Sequence, residues 1–450
     1  MTAESPPGAI AAGHPLTAEA GARVLAEGGN AVDACITAAL VAAVCEGPLT
    51  GPAGGGFLLV SPADGEPVVL DCFFATPSEP LGELDEVVVD FEGAGTQTFR
   101  VGEGSVAVPG LMVGLEEAHR RYCTREWAAL VEPAIALARA GRVPVDAPHA
   151  FLHGILSGIL LRTEAGARVY GDPLHVATEE LAATLERIRD VGARSVAELV
   201  PELAADLGEY RVVARPPLAA EVLGLTVLTT PAPSRGGSIV LEILAALAAL
   251  DVWSLHEEAR AVGEAYARSW RGALTGTTHI SVVDGAGMAA ALSSTLGSGS
   301  GIFRGGMQLN NMLGELDVIG VGVRAPGERL VSMMTPTLVL EAGRPRLVVG
   351  SAGSVRLAGA IAQVAWRILH GTPVAAAIAA PRLHVEGSTL HLEGGWPDEV
   401  VSQLPDSWDV VRWDALNLFF GGVQAVERSS AGTLGAAGDP RRGGAGLVLP

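Results

Sequence analysis

The chain has 450 residues, of which 49% are hydrophobic and 18% charged, enough apolar material for a large buried core and too much for global disorder. Fifty acidic against 30 basic residues give a formal net charge of −20, and every basic residue is arginine. The missing lysine excludes a Schiff-base lysine, a P-loop and a Ser–Lys dyad, while an acidic chain without basic runs makes a poor partner for nucleic acid or for an anionic membrane surface.

The start, Met1-Thr2-Ala3-Glu4, has no basic stretch leading into an apolar one, so no secretory signal is read and a cytoplasmic location is expected. Residues 13–28 read as a helix, with Leu16, Ala20 and Val24 on one face and Gly28-Gly29 at its end. A second, very apolar helix is predicted from Ala31 to Cys45; it is too short to cross a membrane, and Pro48 and the glycines around Gly54 break it. Phe57–Val60 and Val68–Leu70 flank Pro62-Ala63-Asp64-Gly65 and predict a hairpin. From about Pro109 to Arg271 the pattern is mostly helical. Beyond Thr275 it turns strand-like: His279–Val283 with Met288–Ser294, then Thr337–Glu341 with Arg346–Val349, followed by a helix from Leu357 to His370. Length alone allows two or three domains, yet neither half looks self-sufficient, which predicts one interleaved body with sheets between helix layers. Cys35, Cys45, Cys72 and Cys123 fit no zinc or redox spacing, and the ten histidines include no HExxH, so neither metal nor cofactor is expected.

The densest polar and glycine-rich region runs from Thr275 to Glu315. It holds Thr277-Thr278-His279, Ser293-Ser294-Thr295, the loop Gly297–Gly301, Asn310-Asn311 and Glu315. The loop fits neither GxGxxG nor a P-loop, and no GxSxG elbow occurs. His279 is the obvious base by type, but strand alternation puts it on the face of Thr277, where a packed structural histidine is the plainer reading. From the residues alone this is an α/β enzyme-like chain with a hydroxyl site.

Several segments in order resemble the γ-glutamyltranspeptidase family of N-terminal-nucleophile hydrolases: Gly28 to Gly47, Gly51 to Val60, Thr277 to Gly287, Leu309 to Leu316, Ser332 to Val339, Gly350 to Arg356 and Asp439 to Gly444. The resemblance implies an α+β fold, a four-layer αββα sandwich with two stacked sheets between helix layers. It implies self-cleavage between Gly276 and Thr277 into a large subunit, 1–276, and a small subunit, 277–450, which stay together as a heterodimer. Thr277 becomes the nucleophile and its freed α-amine the base. An α-amine titrates near 7.7–8.0 against about 10.4 for lysine, so a lysine-free chain can still run this chemistry.

By position, Thr295 supports the nucleophile and aids the cut, and Gly353 and Ser354 supply the oxyanion N–H pair. Glu315 grips the donor's α-amino group, Ser332 contacts its α-carboxylate, and Asn310-Asn311 shape the loop beside the substrate. Thr278 and His279 support the nucleophile without reacting. Three departures stand out. Phe73 takes the place of the arginine that clamps the donor's α-carboxylate, Met333 that of a serine, and Gly297 that of an asparagine. Arg304 or Arg356 are candidates for a replacement charge. The stretch from Glu315 to Ser332 is too short for the family's lid loop. The expected activity is γ-glutamyl hydrolysis or transfer, as on glutathione, to water or an amino-acid acceptor. The alternatives are an acylase for another side-chain amide and an uncleaved, inactive binding protein.

Overall fold

A computed structural model describes residues 8–90, 96–269, 276–320, 322, 324–429 and 431–449, without the side chains of residues 90, 269, 317, 318 and 354. Two antiparallel sheets carry the fold. The larger has seven strands: β1 (Ala9–Ala12), β2 (Gly55–Ser61), β3 (Val68–Cys72), β4 (Val213–Arg215), β7 (Thr278–Val283), β8 (Ala289–Thr295) and β13 (Ala445–Val448), in the order β13-β1-β7-β8-β2-β3-β4. The smaller has six: β5 (Leu218–Val222), β6 (Leu225–Thr229), β9 (Thr337–Glu341), β10 (Arg344–Ala352), β11 (Gly422–Arg428) and β12 (Leu434–Ala437), in the order β12-β11-β10-β9-β6-β5.

Strand alternation builds two cores. Ile10, Leu58, Val60, Ile280, Val282 and Leu292 point outward to a helix layer of α1 (Pro15–Ala26), α2 (Ala31–Cys45), α3 (Leu111–Tyr122), α4 (Trp127–Ala138) and α5 (Glu179–Val191). Their neighbours Ala9, Ala11, Phe57, Leu59, Ala289 and Ala291 point inward, toward the face of the second sheet that carries Val348 and Val426. A second helix layer, α6 (Gly236–Ala248), α7 (Leu255–Ser269), α8 (Leu357–Leu369) and α9 (Val374–Ala379), closes the far side. The chain is thus an α+β, four-layer αββα sandwich. No helix among the described residues is long and apolar enough to cross a membrane.

Helix α2 is buried at all 15 positions because it lies between sheet and outer helices. Its start is fixed by a capping box: the Asn30 side chain accepts from the Val32 and Asp33 amides, and Asp33 accepts from the Asn30 amide. The predicted hairpin of β2 and β3 is present, in register from Gly56↔Cys72 to Val60↔Val68. The helical reading of residues 109–271 needs correction within the described part. Its later stretch supplies β4, β5 and β6, the last two joined by a two-residue turn at Leu223-Gly224, both with positive φ. β4 and β5 are partly exposed sheet edges and β6 lies one strand in, so none of the three carries a long apolar run. Strand β1, Ala-Ile-Ala-Ala, shows no period of its own and is fixed by pairing with β13 and β7 on either side. Residues 270–275, where the texture changes, lie outside the described residues.

Both sheets mix the two sides of the expected cut. β1 lies between β13 and β7, and β6 pairs with β9.

Candidate active site

Across the large sheet Thr278 pairs with Ser294, Ser294 with Gly56, and Gly56 with Cys72. Paired residues share a face, and this row faces the helices. Thr278 Oγ1 donates to Glu46 Oε2 at 2.6 Å, and Ser294 Oγ lies 2.8 Å from Thr50 Oγ1. One residue nearer the strand ends, the row Thr277, Thr295, Gly55 and Phe73 therefore faces the second sheet. At about 4.8 Å per strand, three strand steps set Thr277 some 14 Å from Phe73. Thr295 and Gly55 are direct partners, and the missing side chain of Gly55 is filled by the Phe74 ring, 2.8 Å from where a Cβ would sit.

The bond expected to break is held from both sides. The Thr295 hydroxyl donates to the Gly276 carbonyl and accepts from the Gly297 amide at 2.8 Å. The Gly276 amide donates to the Gly297 carbonyl at 3.0 Å, and a Cβ at Gly276 would stand 2.5 Å from that oxygen. A glycine is needed here to let the two backbones approach. Thr277 itself is buried, at 1% exposure.

Gly297 has φ +71°, and a Cβ there would lie 2.1 Å from Asn311 Oδ1. The position that resembles an asparagine elsewhere is therefore closed by Asn311. That side chain accepts from the Ser298 and Gly299 amides at 2.8 and 3.1 Å, while its amide nitrogen donates to Ser298 Oγ at 2.6 Å. Glu315 Oε1 accepts from the Ser298 amide and hydroxyl at 3.1 and 3.0 Å. Asn310 pins the neighbouring backbone through Ala107 and Ala53. Thr277, Thr295, Asn311 and Glu315 thus gather around the Gly297–Gly299 loop.

His279 is not free to act as a base. Its ring nitrogens lie 2.8 and 2.9 Å from Ser293 Oγ and Ser281 Oγ, and burial lowers its pKa to about 3. The ring rests on Gly350 of β10, where a Cβ would stand 2.2 Å from Cε1. Three residues on, Gly353 has φ +125° and packs so closely on Gly421 that a Cβ would lie 2.7 Å from its Cα. Residues Ser354–Arg356 form the short turn that leads into α8; of the Ser354 side chain nothing is described.

Two supports of this site carry no sequence signal of their own. Tyr266 on α7 donates its buried phenol to the Val355 carbonyl at 2.6 Å and accepts from the Gly359 amide at 3.0 Å, tying the turn to α8. Glu46, just past α2, accepts from Thr278 and from Thr17 (2.7 Å), and burial raises its pKa. Only the fold brings either residue to the strand after Thr277 or to the facing loop.

The residues expected to meet the donor are more enclosed. Phe73 is 1% exposed, stacked on Phe57 at 5.3 Å and edge-on to Phe74 at 4.9 Å. Its carbonyl accepts from Tyr210 Oη and Arg329 Nη1 at 2.6 and 2.8 Å. Ser332 Oγ accepts from the Met334 amide at 3.0 Å, and Met333 is buried in the core built around the second sheet. Of the candidate replacement charges, Arg304 is engaged by Glu202 at 2.7 Å and Glu103 at 3.5 Å. Arg356 lies over Phe419, its Cζ 3.9 Å from the ring centroid, with Glu386 at 3.6 Å; burial lowers its pKa to about 10.

Sequence spacing gave no metal ligands, but the fold brings His14, Asp146 and His149 together, ligand atoms within 4.8 Å of one another. His14 and Asp146 both cap helices there, accepting from the Leu16 and His149 amides, and Asp146 also holds the His149 ring at 2.7 Å.

The sequence profile of the family described as Gamma-glutamyltranspeptidase matches residues 17–270 and 254–449. The chain belongs to that family. It is an enzyme of the N-terminal-nucleophile type. Among its relatives, the Acylase ACY 1 proenzyme of Pseudomonas sp. (strain SE83) is 27% identical, over 98% of this chain and 93% of the relative. The glutathione hydrolase proenzyme of Bacillus subtilis (strain 168) is also 27% identical, over 98% and 91%. The crystal structure of cephalosporin acylase from Bacillus halodurans superposes with a TM-score of 0.82 at 21% identity, covering 99% of this chain and 96% of that one, which is a likeness of fold.

Proposed function

We propose that the chain cuts itself between Gly276 and Thr277, and that Thr277 then hydrolyses or transfers the acyl group of γ-glutamyl-type amides. The observation that carries this is the Thr295 hydroxyl on the Gly276 carbonyl. A hydroxyl donor aimed at that oxygen stabilises the charge that develops when Thr277 Oγ1 attacks the carbonyl carbon. The attack forms an ester and frees the Thr277 amine, and water then releases Gly276 as a carboxylate. In the mature enzyme the amine takes the proton from Oγ1 as it attacks a substrate amide. The amides of Gly353 and Ser354 hold the oxyanion, and the leaving amine departs with a proton. Water or an amine acceptor resolves the acyl-enzyme, giving ping-pong kinetics. Products 1–276 and 277–450 stay associated because each contributes strands to both sheets.

A second reading is favoured by Phe73. An apolar ring on the nucleophile's face, stacked on Phe57 and edge-on to Phe74, gives an α-carboxylate no charged partner, and this suits an acylase for a donor without that group. Intact mass separates processing from its absence: two polypeptides, the smaller starting Thr-Thr-His-Ile, are expected. A single uncut chain, with activity unchanged in Thr277→Ala, would refute the proposal. Anilides of γ-glutamate, 4-aminobutyrate and butyrate then rank the donor. Preference for γ-glutamyl supports the first reading; preference for either acyl group lacking the carboxylate supports the second.

A further inference from the structure

The second helix layer contains a cavity of about 660 Å³, within the size range of small-molecule sites. It lies at the C-terminal end of α8. The oxyanion turn leads into the opposite end of that helix, about 20 Å away for 13 residues. It is therefore separate from the Thr277 site.

Its wall is built around indoles. Trp253 and Trp396 stand with rings 11° from parallel and centroids 6.5 Å apart, and Trp366 adds a third. The Trp253 N–H is spent on Glu258 at 2.8 Å and the Trp396 N–H on the Arg382 carbonyl at 3.2 Å. What these two rings can still offer a ligand is their electron-rich faces. Two carboxyl groups and two helix ends converge on the same space. The buried Glu258 and the exposed Asp251 line it, as do Ala248 and His370, the residues at the C-terminal ends of α6 and α8 where helix dipoles are negative; burial raises the Glu258 pKa and the Arg367 charge opposes that shift. Arg367 and His370 are the basic lining residues. The Arg367 guanidinium donates to the Pro381 carbonyl at 2.7 Å through Nη2, stands 5.8 Å from the Trp396 ring centroid and leaves its buried Nη1 without a hydrogen-bond partner.

We propose that this cavity is a binding site for a small organic cation, a quaternary ammonium or protonated amine on an apolar body. Aromatic faces backed by carboxylates recognise that chemistry through cation–π attraction.

The test uses the processed protein and titrates choline and benzyltrimethylammonium by calorimetry, with 3,3-dimethylbutanol as the neutral isostere and benzoate as the anionic probe. Saturable binding of the cations is expected, at least about tenfold tighter than the isostere, and weakened about tenfold by Trp253→Ala. Trp253 is 41% exposed, so its removal leaves the core closed, and amide turnover at Thr277 should stay at the wild-type rate. Trp396→Phe, which keeps a π face, should retain most of the affinity. Absent cation binding, equal binding of the isostere or benzoate, or cation binding indifferent to Trp253→Ala would each overturn the proposal.

Discussion

Replacing Thr295 by valine keeps the shape of the side chain and removes the hydroxyl alone. In the uncut chain that hydroxyl does two things: it donates to the Gly276 carbonyl and accepts the Gly297 amide at 2.8 Å. Losing the donor removes stabilisation of the developing oxyanion, a contribution of about 2.7–4 kcal/mol, or 10²–10³ in rate. Losing the acceptor leaves a buried amide unpaired, about 1–3 kcal/mol of local stability. The first effect acts on the cut and the second on the Gly297 loop, whose carbonyl holds the Gly276 amide. Both point the same way, so processing should slow by at least about a hundredfold. Thr295→Ser, which keeps the hydroxyl, should process at close to the wild-type rate. The assay is intact mass at fixed times after purification, with all variants held at the same pH. Thermal melts of the two variants before the cut would show that both precursors fold. If the valine variant matured as fast as wild type, the contact would have no part in cleavage and the reasoning would fail.

Tyr266→Phe removes both hydrogen bonds that tie the turn after Gly353 to α8. It should lower kcat by about tenfold or more with little change in KM, since a misplaced oxyanion donor acts on the transition state; a change confined to KM would count against the assignment. Phe73→Arg should fail to restore a carboxylate clamp. It puts a cation into a 1% exposed aromatic stack whose nearby Asp71 is already held by Arg215 at 2.9 Å, and should cost at least about 3 kcal/mol, readable as a lower denaturation midpoint. A stable variant with sharply raised γ-glutamyl turnover would contradict this. Acid should also loosen the fold through its buried histidines. His279 is lowered to about 3, and His14 and His384 to about 4, mainly by desolvation, so the folded state favours their neutral forms. That stability is complete above the unfolded pKa near 6.5 and is lost as pH falls through the folded values. Melting temperature should decline progressively below about pH 6, and His279→Asn should flatten part of that decline while leaving the alkaline limb of the rate profile in place.

Much of this protein is legible in order along the chain. The capped apolar helix at Asn30–Cys45, the hairpin of β2 and β3, the paired strands after Thr277 and the helix from Leu357 each follow from local periodicity and turn chemistry, which act over a few residues. The run of segments resembling one family implies an N-terminal threonine as nucleophile, a route that the absence of lysine leaves open. Tertiary structure decides what depends on approach between distant backbones. It sets Thr277, Thr295, Gly55 and Phe73 in one row facing the second sheet, lays the Thr295 hydroxyl on the Gly276 carbonyl, and closes the Gly297 position with Asn311. It also recruits Tyr266 and Glu46, whose burial and partners come from helices far away in sequence. Strand β1, the edge strands after Val213 and the tryptophan-lined cavity are of the same kind. Their residues carry no periodic pattern because packing against remote elements, and not local propensity, gives them their place.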